Sequence, residues 1–138
     1  MKAVKAKILV ADDSDLVARV AGQLATRFGY RVTACVSSGV DALASLETDI
    51  PDLALVDLHM GGATTGIELA AELIRTGTRV VLLSALPTPR SHQLADQVGA
   101  HGLLAKPFGT VEFRHEVESA LGRPRLHERV VIRTASSG

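Results

Sequence analysis

Short apolar runs alternate with longer amphipathic stretches five times along the chain, and this alternation constrains the fold more than any other feature. The runs are Lys7 to Ala11, Arg31 to Val36, Asp52 to Val56, Arg79 to Leu83 and Gly102 to Ala105. Within them KILVA, LALV and RVVLL are nearly unbroken apolar stretches, as in strands covered by helices on both faces. The spacing predicts helices in between. Leu16, Val17, Val20, Leu24 and Phe28 form the apolar stripe of the first, with Ser14 as cap and Gly29 as stop. The second opens at Ser38, with Asp41 at capping-box spacing, and buries Val40, Leu43 and Leu46. Ile67, Leu69, Ala70, Leu73 and Ile74 make the third, closed by Gly77. Thr88 and Pro89 start a sparsely apolar fourth with Leu94, Ala95 and Val98, and the fifth runs from Thr110 through Val111, Phe113, Val117, Ala120 and Leu121. Right-handed crossovers wind this order into an α/β fold, a doubly wound five-stranded parallel sheet with five helices.

Composition narrows the function. A chain of 138 residues with 46% hydrophobic content supports one compact domain. Fifteen basic residues balance fifteen acidic ones, so overall charge selects neither nucleic acid nor an anionic membrane as partner. No apolar run approaches the roughly 20 residues of a spanning helix, and the N-terminus lacks the apolar centre of a signal peptide, so a cytoplasmic protein is expected. The single cysteine, Cys35, lies in an apolar run and is expected in the core. After Leu121 the composition shifts to GRPRLHERVVIRTASSG, with four arginines, one glutamate and a short strand candidate at Val130 to Ile132. Residues 1–122 are therefore expected to form the domain, and 123–138 a basic tail or the start of a linker.

Polar residues collect where the strands end. Asp12 and Asp13 follow the first strand, Asp57 the third, Ser84 the fourth and Lys106 the fifth. In an open parallel sheet, ligands bind beyond the carboxyl ends of the strands, near the point where strand order reverses. With the order 2-1-3-4-5 the first and third strands are neighbours about 5 Å apart, so three carboxylates share one pocket. Two such charges repel by roughly 3 kcal/mol at an effective dielectric near 20, which calls for a cation. An all-oxygen carboxylate site suits a hard divalent ion, Mg²⁺ above all. A carboxylate held beside it, with a hydroxyl and an ammonium converging, can attack phosphorus and form an acyl phosphate.

ADDS at 11–14, Asp57 in LALVDLHM, Ser84 in VVLLSA and KPF at 106–108 together resemble the receiver domain of two-component response regulators. The resemblance covers about residues 6–122. It implies that Asp57 is the phosphoacceptor, and that Asp13 and Asp57 ligate Mg²⁺ together with the backbone carbonyl of His59. Asp12 then acts largely through a metal-bound water, Ser84 and Lys106 bind the phosphoryl oxygens, and the Lys106–Pro107 bond is cis. It further implies a signalling switch rather than a turnover enzyme, with a histidine kinase or histidine phosphotransfer protein as donor and a homodimer as one form of output. Direct contact with nucleic acid is not expected.

Two departures stand out. The loop DLHMGGATTGIEL has Gly61 and Gly62, no proline and one extra residue before Gly66, and is expected to be mobile. Leu103 occupies the position where the family usually has an aromatic residue, so the aromatic part of the switch is absent. Among the five histidines, no two have metal-ligand spacing on one face. The side chain of His59, two residues past Asp57, is placed to orient or obstruct the water that hydrolyses an acyl phosphate. Other classes share parts of this pattern. A flavodoxin-type binder would have its cofactor phosphate repelled by Asp12 and Asp13. An aspartate-nucleophile phosphatase would need an acid where His59 stands. A receiver fold working as an interaction module without phosphorylation, or the N-terminal part of a longer regulator, are the alternatives within the same fold.

Overall fold

A computed structural model describes residues 5–122. Five parallel strands, β1 (Lys7–Ala11), β2 (Arg31–Val36), β3 (Leu53–Asp57), β4 (Arg79–Ser84) and β5 (Gly102–Ala105), form one sheet in the order β2-β1-β3-β4-β5. The helices between and after them are α1 (Asp15–Arg27), α2 (Gly39–Ser45), α3 (Gly66–Arg75), α4 (Pro89–Val98) and α5 (Thr110–Gly122). The third strand is shifted by one residue from the expected span and the fourth runs one residue longer. Asp57 and Ser84 are thus the last residues of their strands, held in the ladder rather than following it. The Val130 to Ile132 strand candidate lies outside the described residues.

Side-chain alternation divides the interior into two layers. Ile8, Val10, Leu53, Leu55, Val81 and Leu83 face α1 and α5. Leu9, Ala11, Ala54, Val56, Val80 and Leu82 face α2, α3 and α4. All twelve are fully buried, which explains why these strands are apolar on both faces. At about 1.5–3 kcal/mol for each large aliphatic side chain removed from water, these layers dominate the stability of the fold.

The first helix departs from expectation. Alanines 18, 21 and 25 face the sheet, while Leu16 is 66% and Val20 37% exposed. Three alanines at 3–4 residue spacing let α1 approach closely, and that close seat turns part of the larger apolar stripe outwards. Val40 of α2 and Val111 of α5 are likewise exposed instead of buried. Gly39 and Ala42 fill the sheet side of α2, and Phe113, Val117 and Ala120 that of α5. Cys35 is also exposed. It sits on the edge strand β2, its Sγ–H donating to the Ala18 carbonyl at 3.2 Å, and partial burial of the thiol raises its pKa. Phe113 stacks on Phe28 with ring centroids 6.3 Å apart and meets Phe108 at 5.5 Å. This aromatic column anchors the segment just after Lys106. Among the described residues no helix is long and apolar enough to cross a membrane.

Candidate functional site

Register sets the site. β1 pairs with β3 through Ala11 and Val56, so the chain continuing from each strand places Asp12 beside Asp57. Asp57 pairs with Leu83, one residue before Ser84, and Ser84 pairs with Ala105, one residue before Lys106. Four adjacent strands of one parallel sheet therefore deliver either their last residue, Asp57 and Ser84, or the next one, Asp12 and Lys106, to one rim.

Asp12 is fully buried and Asp57 only 2% exposed, whereas Asp13 is exposed. One carboxylate oxygen from each lies within 4.8 Å of the others. Lys106 Nζ bridges two of them, 3.0 Å from Asp12 Oδ2 and 3.3 Å from Asp57 Oδ1. Backbone donors add to this. The N–H of Ser14 donates to Asp12 Oδ1 at 2.9 Å and that of His59 to Asp57 Oδ1 at 3.0 Å. A buried carboxylate is tolerated only with such partners. Asp13 is exposed as a residue, but partial desolvation of its carboxyl at the rim raises its pKa, and hydrogen bonding to Asp57 and repulsion from Asp57 and Asp12 add to the rise against the opposing pull of Lys106. For Lys106, burial pulls the pKa down, but the hydrogen bond and charge of Asp12 and the charge of Asp57 outweigh it and raise it overall.

Three carboxylates facing one ammonium leave two negative charges uncompensated, the balance a divalent cation would neutralise. The donor set, all oxygen and open to solvent only on the Asp13 side, fits a small hard cation. Ser84 Oγ is fully buried and has no hydrogen-bond partner among the described residues. A buried hydroxyl in that condition signals a ligand position, since buried polar groups are otherwise paired.

Local structure holds Asp57 in place. The N–H of Leu58 donates to the Leu83 carbonyl at 2.8 Å, carrying the ladder past Asp57. Gly66, the first residue of α3, is packed so tightly on Asp57 that a Cβ there would overlap its carbonyl oxygen. The glycine-rich loop is therefore pinned at both ends. Met60 is only 2% exposed within the core and its carbonyl accepts from the Gly66 N–H at 2.9 Å, which leaves Gly61, Gly62 and Ala63 as an exposed tip. Of the loop expected to be mobile, only that tip is exposed between Met60 and Gly66. Opposite, the N–H of Lys106 donates to the Ser84 carbonyl at 2.8 Å, and the Lys106–Pro107 bond is cis.

All the sequence-derived side chains Asp12, Asp13, Asp57, Ser84 and Lys106 meet at this rim. His59 contributes its N–H to Asp57 while its side chain is exposed. What sequence reasoning missed is Thr65. Its hydroxyl accepts from the Glu68 N–H at 3.2 Å and the Glu68 carboxylate accepts from the Thr65 N–H at 2.9 Å, a full capping box that starts α3 beside the acceptor. The T-x-x-E pattern was visible in TGIE.

The profile of the family described as "Response regulator receiver domain" matches residues 8–118. The chain belongs to this receiver domain family. It is 27% identical over 121 residues to the transcriptional regulatory protein DesR of Bacillus subtilis, covering 87% of this chain and 60% of DesR. To the sensory/regulatory protein RpfC of Xanthomonas campestris it is 35% identical over 107 residues, 73% of this chain and 14% of that protein. Among solved structures, the signal receiver domain of the putative response regulator NarL of Mycobacterium tuberculosis superimposes with a TM-score of 0.78 at 30% identity, covering 88% of this chain and all of that one. The receiver thus spans only part of the two curated relatives. The receiver reading accounts for the acid cluster, the buried hydroxyl and the bridging lysine together, and it is a signalling fold by family.

Proposed function

We propose that the domain accepts a phosphoryl group onto Asp57 from a histidine kinase or a histidine phosphotransfer protein, and that this modification switches its protein contacts. The observation that carries this reading is Ser84 Oγ, buried and unpartnered among the described residues at the rim where the acceptor carboxylate lies. In the transfer, an Asp57 oxygen attacks phosphorus, the P–N bond to the donor imidazole breaks, and its electron pair returns to the imidazole nitrogen. Lys106, already 3.3 Å from Asp57 Oδ1, follows the growing charge onto the phosphoryl oxygens, and the Ser84 hydroxyl donates to one of them. Asp12, Asp13, Asp57 and the carbonyl of His59 would hold Mg²⁺. When bound, the ion supplies charge neutralisation between the carboxylates and the incoming phosphoryl group.

The same chemistry supports self-phosphorylation from a small phosphodonor and self-dephosphorylation. It involves no turnover of a separate substrate. Incubation with such a donor and Mg²⁺ should add the mass of one phosphoryl group, lost in Asp57→Asn and lost without metal. Modification that survives either change would falsify the mechanism. His59, two residues past Asp57 with an exposed side chain, would orient or obstruct the hydrolytic water, so His59→Ala should alter the lifetime of the phosphorylated form. An unchanged lifetime removes that role. Residues 1–122 act here as the receiver and 123–138 as a basic segment beyond it.

A further inference from the structure

The loop after the acceptor has a third support besides Met60 and Gly66, and it comes from a different helix. Thr64 is half-buried although Gly61, Gly62 and Ala63 just before it are exposed. It lies against Gly39, the buried first residue of α2. A Cβ on Gly39 would come within 2.5 Å of the Thr64 carbonyl oxygen, 2.8 Å of its Cβ and 2.9 Å of its Cγ2. The nearest atom is backbone and the next is fixed to it, so no side-chain rotation would relieve the overlap. Nor does backbone conformation call for glycine there, since Gly39 is not one of the residues with positive φ. Only the approach of Thr64 does.

Gly66 follows the same rule on the other side. It has no positive φ, yet a Cβ on it would overlap the Asp57 carbonyl. Residues 64–66 are thus clamped between α2 and the end of β3, with Thr65 between the two contacts fastened by its box to Glu68. Hydrogen bonds link the clamp to the acceptor. The Gly66 N–H donates to the Met60 carbonyl at 2.9 Å, the Met60 N–H to the Asp57 carbonyl at 3.2 Å, and the His59 N–H to Asp57 Oδ1 at 3.0 Å. A displacement at Thr64 is therefore passed through Gly66 and Met60 to the peptides on either side of His59. We infer that Gly39 is a positioning residue of the phosphorylation site: by leaving room for Thr64 it lets α2 brace the acceptor loop, and the brace holds the His59 N–H and carbonyl in place beside Asp57. This rests on the receiver reading above, in which that carbonyl is a ligand of Mg²⁺.

Which side would yield to a larger residue follows from the packing. α2 is seated by Ala42, which is fully buried, and its Ser38 hydroxyl accepts the Asp41 N–H at 3.1 Å. The loop backs onto the exposed tip, where nothing lies within 4 Å of a Cβ on Gly61 or Gly62. A methyl group on Gly39 therefore pushes the loop outwards and leaves the helix seated. α2 contributes no side chain to the acid rim, so its part in the chemistry is indirect, through the placement of the His59 peptide.

The test uses the full chain, with Gly39→Ala, Thr64→Gly and the two combined, and reads amide-resolved NMR spectra during a Mg²⁺ titration. Gly39→Ala should move the His59 amide resonance in the metal-free protein and raise the Mg²⁺ concentration at half-saturation about tenfold, the effect of disturbing the support behind a metal ligand. In the Thr64→Gly background the same substitution should do less, because the side-chain part of the overlap is gone. Val117→Ala, in the core on the opposite face of the sheet, lowers stability alone and should leave both readings unchanged. If Gly39→Ala lowers the urea midpoint but keeps the wild-type His59 resonance and Mg²⁺ midpoint, glycine there serves packing only and the inference is overturned. Should Gly39→Ala fail to fold, Thr64→Gly decides, since it adds no atom and removes part of the brace. The same two readings should shift in it, and unchanged readings overturn the inference equally. A wild type that takes no phosphoryl group onto Asp57 from a small donor sinks the receiver reading itself, whereas a phosphorylated wild type beside an indifferent Gly39→Ala sinks this inference alone.

Discussion

Helices α3 and α4 both start at the functional rim, one after Asp57 and the other after Ser84, yet they are seated very differently. α3 begins with a reciprocal capping box, presses Gly66 onto the acceptor carbonyl and buries Leu69, Ala70 and Leu73. α4 is reached through the exposed residues 85–88, has no acid in its first turn and buries only Ser91 and Ala95. The contrast separates two tasks. The flank of Asp57 is closely packed, while Ser84, whose hydroxyl is proposed to meet the phosphoryl group, adjoins the sparsely buried helix. Movement on phosphorylation is therefore expected on the α4 side, where few buried contacts oppose it.

Substitutions matched between the two helices can break this comparison. The largest difference is expected between their glycines. Gly66→Ala drives a methyl group into the Asp57 carbonyl and should cost about 3 kcal/mol or more in urea denaturation. Gly99→Ala has open space around it but must hold φ at +84°, so roughly 1–2 kcal/mol is expected. If Gly99→Ala proved the more damaging, the assignment of rigid and soft flanks would be reversed. Next come the apolar contacts. Leu73→Ala empties a fully buried position and should cost about 2–5 kcal/mol, whereas the half-buried Leu94 should give up about 1 kcal/mol. Equal losses would mean that α4 is as firmly packed as α3.

The caps come third. Thr88→Ala removes a hydroxyl that accepts from the Ser91 N–H at 3.1 Å and should cost about 1 kcal/mol in thermal or urea unfolding. Thr65→Ala should cost at least as much, because Glu68 loses its reciprocal anchor. The smallest effect is one of pH. Hydrogen bonds from Thr65, its backbone N–H first, hold the Glu68 carboxyl below its ordinary value of 4.5. A carboxyl depressed in the folded state stabilises above its unfolded pKa, and the contribution is lost as pH falls through the lower folded value. Glu68→Gln should therefore flatten the acid side of the stability profile slightly. The Thr88 cap, with no acid three residues on, should show no such dependence when removed.

Much of this was readable from sequence because the governing pattern is short-ranged. Continuous apolar runs mark buried parallel strands, and the residue at each run's end lands on the rim whatever the helices do. Asp12, Asp57, Ser84 and Lys106 were legible for that reason. Helix faces were less so. In α1 the expected stripe is met in part: Val17, Leu24 and Phe28 pack against the core, while Leu16 and Val20 are exposed and Ala18, Ala21 and Ala25 take the buried line. The alanines win because the seat on the sheet is close, a tertiary fact that helical periodicity does not carry. Cys35 is exposed because β2 is an edge strand, a consequence of the expected order 2-1-3-4-5 that its apolar neighbours obscure. Ser38 and Asp41 have capping-box spacing, and the Ser38 hydroxyl does accept from the Asp41 N–H, but the full box is made at Thr65 and Glu68.

The anchoring of the loop after the acceptor reaches beyond signalling. With Met60 sunk in the interior and Gly66 wedged on the strand end, the five residues between them form a short bridge whose span is set by its abutments. Such a bridge can be lengthened without moving what it joins. A reporter peptide or small folded module spliced between Gly61 and Gly62 would stand beside the acceptor while leaving the sheet as it is, turning the domain into a scaffold for a sensor.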